Sequence, residues 1–115
     1  MQIFVRTDNN IDGHERFAHW VESEVGQTLS QFGSAINRVD VYLKDESAGR
    51  RGGDHILCVM EARSAGLQPI VASHRDGTSS EAVTGAVAKL KRTLESARDR
   101  FREHKAASPI RNDAT

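Results

Sequence analysis

The chain has 115 residues, the size of one ordinary domain, with 37% hydrophobic and 28% charged residues. Its 16 Lys and Arg balance 16 Asp and Glu, so overall charge names no partner, and no apolar run approaches the roughly 18 residues of a membrane helix. The opening MQIFVRTDNN lacks the basic and apolar segments of an export signal, and a single cysteine, Cys58, fits a reducing compartment, so a cytoplasmic location is expected.

In MQIFVRT, Ile3 and Val5 alternate with Gln2, Phe4 and Arg6, which predicts a strand from the first residues. Asp12 followed by Glu15 predicts a capping box. Phe17, Val21, Val25, Leu29 and Phe32 then recur at spacings of four and three, an apolar stripe on a helix from about 13 to 32, with Gly33 as its C-cap. From Arg38 to Lys44 the period falls to two, with Val39, Val41 and Leu43 on one face and Arg38, Asp40, Tyr42 and Lys44 on the other. A Gly- and Arg-rich connection follows, and a strand resumes from Ile56 to Ala62 with Ile56, Cys58 and Met60 on one side. PIVASH is a fourth short strand, with Pro69 tolerable at its start.

Thr78 and Glu81 predict a second capping box, opening a helix whose apolar stripe is Val83, Ala86, Val87, Leu90, Leu94, Ala97 and Phe101. Residues 106 to 115 have no periodicity and read as a disordered tail. The expected whole is one α+β domain over residues 1 to 105. It is a two-layer sandwich in the order β-α-β-β-β-α, with two helices on one face of a four-stranded sheet. The other face is left open to solvent or a partner.

Charge is unevenly placed. Residues 1–62 sum to −4 and the remainder to +4, and residues 79 to 105 alone hold seven Lys and Arg against four Asp and Glu. Glu81, Glu95, Asp99 and Glu103 lie opposite the apolar stripe, whereas Lys91, Arg98 and Arg102 flank one side and Lys89 and Arg100 the other. Such sorting suits an anionic partner and also suits an ordinary solvated helix face.

Enzyme motifs fail on spacing. HERFAH has one residue too many for a zinc-protease helix, so His14 and His19 project about 140° apart. GRRGG lacks the Gly-Lys-Ser/Thr ending of a phosphate-binding loop. Cys58 reads as core, Trp20 as a lid at the core's edge, and His55 and His74 as structural or surface groups.

Three segments in order, MQIFVRTDNNI, INRVDVYLKDE and VTGAVAKLKRTLESAR, carry a family pattern. Its positions are Met1, Ile3, Val5, Asn10 and Ile11, then Val39, Val41, Leu43 and Glu46, then Ala82, Val83, Ala86, Val87, Lys89, Leu90, Arg92 and Leu94. The chain thereby resembles the short form of the ribosome hibernation-promoting factor and ribosome-associated inhibitor family, the sigma-54 modulation or S30EA proteins. The resemblance implies a non-enzymatic module, built like a double-stranded-RNA-binding domain, that shuts down translation under stress. It implies binding to the small ribosomal subunit through the 16S rRNA backbone, with no cofactor, metal, membrane or small-molecule substrate. The motif carries over Lys89 and Arg92 as rRNA contacts, and Lys91, Arg98, Arg102, Lys44, Arg50 and Arg51 join them by expected position near the same surface. The chain departs from the family's D-x-Y-x-A-[IV]-D helix start at Thr78, Ser80 and Thr84, and the long members' C-terminal dimerisation domain is not expected within these residues. The alternative reading keeps the fold but leaves the ribosome, as a divergent protein-binding regulatory module.

Overall fold

Alternating apolar residues build four strands, Gln2–Thr7 (β1), Arg38–Asp45 (β2), Ile56–Arg63 (β3) and Ile70–Asp76 (β4), and 3.6-residue stripes build two helices, His14–Thr28 (α1) and Ser79–Asp113 (α2). The structure, a computed structural model, describes residues 1–8, 14–47 and 53–113, with the side chains of His14 and residues 100–113 outside the description. The Asp12 cap and the arginines Arg50 and Arg51 therefore lie outside the described residues.

The sheet order is β1-β2-β3-β4. β1 runs parallel to β2, with Val5 opposite Val41, and the remaining pairs are antiparallel, with Val41 opposite Met60 and Met60 opposite Ala72. A parallel neighbour needs a crossover, and α1 supplies it. These registers place Val39, Val41, Leu43, Cys58, Met60 and Ala62 on one face. There they meet Val21, Val25 and Leu29 of α1 and Val83, Val87, Leu90 and Leu94 of α2 in one core that contains no buried polar or charged residue among those described. Both helices thus cover the same face, the two-layer α+β arrangement expected. Burying a side chain the size of Leu90 contributes about 1.5–3 kcal/mol. Cys58 is among the fully buried groups, and desolvation pushes its thiol up to about 12, so it packs as an apolar residue rather than reacting as a thiolate.

Three boundaries differ from the sequence expectation. α1 ends at Thr28, and the chain continues as a short 3-10 helix, Ser30–Ala35, that keeps Phe32 buried; Gly33 is not a C-cap but a kink inside that segment, with φ of 44°. A left-handed residue breaks the 3.6-residue repeat, and glycine adopts it without steric penalty. β4 begins after Pro69 and extends to Asp76. α2 is helical through Asp113 and so runs into the stretch that the sequence reads as a tail.

Thr78 caps α2 as predicted. Its hydroxyl oxygen accepts from the Glu81 N–H (3.2 Å) and donates to the Glu81 carboxylate (2.8 Å). Just before it, Asp76 Oδ1 accepts from the Gly77 N–H (2.8 Å) and Oδ2 meets His74 Nε2 (3.1 Å), contacts that hold the Asp76 carboxyl below its ordinary range. Thr78, which stands where the resembled pattern has an aspartate, thus still satisfies an orphan helix N–H.

Candidate nucleic-acid interface

Inward packing of Val83, Val87, Leu90 and Leu94 turns the opposite side of α2 to solvent. Arg92 is exposed there and Lys91 is half-buried beside it. Neither takes part in an ion pair among the described residues. Lys89 is exposed on the flank over the sheet, where its Nζ donates to the carbonyl oxygen of Ser73 at 3.3 Å. That bond is long, and it lies on β4, an edge strand, so Lys89 also blunts an edge.

Arg98 is placed differently from the other three. Its guanidinium lies over the Phe32 ring, 4.9 Å from the centroid, joining α2 to the 3-10 segment, and its Nε is shielded from solvent. Lys44 belongs to the other layer. It alternates with buried Leu43, sits in register with Leu57, and is exposed on the open face of the sheet. The structure therefore brings Lys89, Lys91, Arg92 and Arg98 together on one helix and separates Lys44 from them. Arg102 lies on the same helix with its side chain outside the description.

The open face carries a second set of cations that the sequence reading does not nominate. Arg38 stacks over Phe4 (4.3 Å to the ring centroid) and donates through Nε (3.0 Å) and Nη2 (2.8 Å) to Asp40. Arg63 Nε donates to Glu61 at 2.7 Å and lies 3.8 Å from Asp40, and Arg75 Nε donates to Glu46 at 2.9 Å. The Arg75 bond, more than any other contact, holds the Glu46 carboxyl below its ordinary range. Together Phe4, Arg6, Arg38, Tyr42 and Glu61 line a shallow depression of about 490 Å³. The signal was present in the period-two pattern of β2, which places Arg38, Asp40, Tyr42 and Lys44 on one side. The partners Glu61 and Arg63 become visible only through the β2–β3 register, which sets Asp40 against Glu61.

Among the described residues no group of His, Cys, Asp or Glu is placed to hold a metal ion, and no helix is long and apolar enough to cross a membrane. His74 and Asp76 face Trp20 and Ser80 across a shallow cleft at the start of α2, and the His74 ring is packed against Gly85.

The chain is similar in fold to a ribosomal subunit interface protein from Coxiella burnetii, with a TM-score of 0.69 at 12% identity over 86% of this chain and 99% of that one. It is also similar to the N-terminal domain of Protein Y from Thermus thermophilus, with a TM-score of 0.63 at 16% identity over 82% and 96% of the two chains. No curated protein matches it in sequence. The sequence pattern of one family nonetheless matches residues 4–102, nearly the whole sandwich and most of the basic helix. By that match the chain belongs to the sigma 54 modulation protein / S30EA ribosomal protein family.

Proposed function

We propose that this protein is a ribosome-associated modulation factor that binds the small subunit through the 16S rRNA backbone, with the outer side of α2 as its main contact. The observation that carries this reading is the state of Lys91 and Arg92: in a chain of zero net charge they stand on a rigid helix without a carboxylate partner among the described residues. Phosphate contacts require cations in a suitable geometry and little base-specific chemistry, and a helix face provides that geometry. Lys89 extends the patch toward the sheet. Arg98 and Arg102 extend it along the helix, with Arg98 giving part of its guanidinium to Phe32. Lys44, exposed on the open face of the sheet, forms a separate contact, and Arg50 and Arg51 of the connection that follows β2 complete the set of RNA-binding cations.

The fold similarity to a ribosomal subunit interface protein supports the same partner. The action is occupation rather than catalysis: a bound domain denies its site on the subunit to the RNAs of translation, and the place of action is the cytoplasm, where ribosomes work. Binding through released counterions has a measurable signature, because affinity falls with salt by a logarithmic slope of about 0.7–0.9 per phosphate contact. Co-sedimentation of the purified chain with small subunits at several salt concentrations tests the proposal. Binding that weakens steeply with salt is expected. Absence of binding even at low salt contradicts it and favours the fold's use as a protein-binding module.

A further inference from the structure

The arginines of the open sheet face are largely closed against carboxylates, but its aromatic rings are not covered. Phe4 is 46% exposed and Tyr42 39% exposed, on the neighbouring strands β1 and β2. The register sets Phe4 against Asp40 and Arg6 against Tyr42, so the two rings are diagonal neighbours, roughly 8 Å apart at Cα from the strand spacing and rise. Both line the shallow depression of about 490 Å³ on that face. Rings placed in this way on adjacent strands of an open sheet each take one unpaired base of a single strand, and every base has a face to stack.

The groups around the rings complete the chemistry. The Arg38 guanidinium lies over Phe4 and is fixed there by Asp40, and bases stack on guanidinium planes as they do on rings. Arg6, exposed beside Tyr42, makes no ion pair among the described residues and is left for a phosphate. Glu61 accepts from Arg63 through Oε1, and its Oε2 accepts no hydrogen bond among the described residues. Three arginines (Arg6, Arg38, Arg63) against two carboxylates (Asp40, Glu61) leave the lining one positive charge in excess. We propose that this face binds single-stranded RNA, with two successive bases on Phe4 and Tyr42, a phosphate on Arg6, and a base amino group donating to Glu61 Oε2. Cytosine offers such an amino group and uracil does not, so the face discriminates between them. A duplex hides its base faces, and a second copy of this face would bring its own excess of positive charge. The site is across the sheet from the outer side of α2, so it stands or falls apart from the subunit contact of Lys91 and Arg92.

The test uses the full chain, labelled with nitrogen-15, and follows amide chemical shifts with four probes: a six-nucleotide oligocytidylate, an oligouridylate of the same length, an RNA duplex and cytidine monophosphate. Oligocytidylate is expected to shift Phe4, Arg6, Tyr42 and Glu61, and to do so undiminished in the variant Lys91→Ala with Arg92→Ala. It should bind about fivefold more tightly than oligouridylate, the lower end of what one base contact discriminates. Phe4→Leu and Tyr42→Leu, which keep an exposed apolar side chain and remove a ring, should each weaken it about tenfold, the loss of one base–ring stack. Glu61→Ala should bring the two oligonucleotides to one affinity, and Arg6→Ala should lower the logarithmic salt slope by about 0.7. Equal affinity of the unmodified chain for the two oligonucleotides, unchanged binding by both leucine variants, or shifts confined to α2 overturns the proposal. So does duplex or mononucleotide shifting the sheet residues as strongly as oligocytidylate, or no shift from oligocytidylate even at low salt.

Discussion

Positive charge is held in two different states on the two sides of this molecule. On the open face of the sheet, Arg38, Arg63 and Arg75 each sit against a carboxylate at 2.7–2.9 Å at the closest approach. On the outer side of α2, Lys91 and Arg92 have no such partner among the described residues. Exposed ion pairs contribute about 0–1 kcal/mol to stability, so the pairing matters less for the fold than for the field. A paired arginine presents little net charge to a phosphate at a distance, whereas an unpaired one on a rigid helix presents all of it, within a Debye length of about 8 Å at physiological salt. Lys44, exposed on the same open face, also has no ion pair among the described residues, so pairing separates the three sheet arginines, not the whole face, from Lys91 and Arg92.

The largest effects should come from the face that carries no charge. Met60 is fully buried beneath the helices, while its neighbour Val59 faces the open side. Met60→Ala should cost about 2–5 kcal/mol in urea unfolding, and Val59→Ala less than about 1 kcal/mol, so similar losses would erase the distinction between the faces. Next comes the seam between β4 and α2. A Cβ added at Gly85 would overlap the His74 ring, so Gly85→Ala should destabilise by about 1–3 kcal/mol, and His74→Ala in the same chain should recover most of that. Thr78→Ala removes the cap that starts the basic helix and should cost about 1 kcal/mol, read from the same unfolding curves.

The smallest effect belongs to three half-buried carboxylates. Asp45, Glu46 and Asp76 are held below ordinary values of 3.8, 4.5 and 3.8, chiefly by hydrogen bonds from Ser47, Arg75 and Gly77 respectively. Groups with lowered folded values stabilise the fold above their ordinary range and lose that contribution as pH falls through the folded values. Melting temperature should therefore change little between pH 7 and 5 on their account and decline below about pH 4. A decline already complete at pH 5 would mean that other groups control acid stability.

Much of this architecture is legible in the sequence because burial imposes a period. Val39, Val41 and Leu43 announce a half-buried strand, and Val83, Val87, Leu90 and Leu94 announce the face of a helix, before any contact is known. The family pattern is legible for the same reason, since most of its positions are these core residues. Gly33 was harder to read, because a glycine near a helix end signals a cap or a kink equally, and only the packing of Phe32 after Thr28 decides. The state of each cation was hidden altogether. Arg63 finds Asp40 and Glu61 through the β2–β3 register, and Arg98 finds Phe32 through the packing of α2 on the 3-10 segment, neither of which local periodicity encodes.

The most direct test compares small-subunit binding by two double variants, Lys91→Ala with Arg92→Ala and Arg38→Ala with Arg63→Ala, across a salt series. Losing two phosphate contacts should weaken the first variant at least tenfold at low salt and lower its logarithmic salt slope by about 1.4–1.8. The second should stay within about twofold of the unmodified chain. Equal losses, or a larger loss from the sheet pair, would contradict the claim that the unpaired bases of α2 are the RNA-binding face.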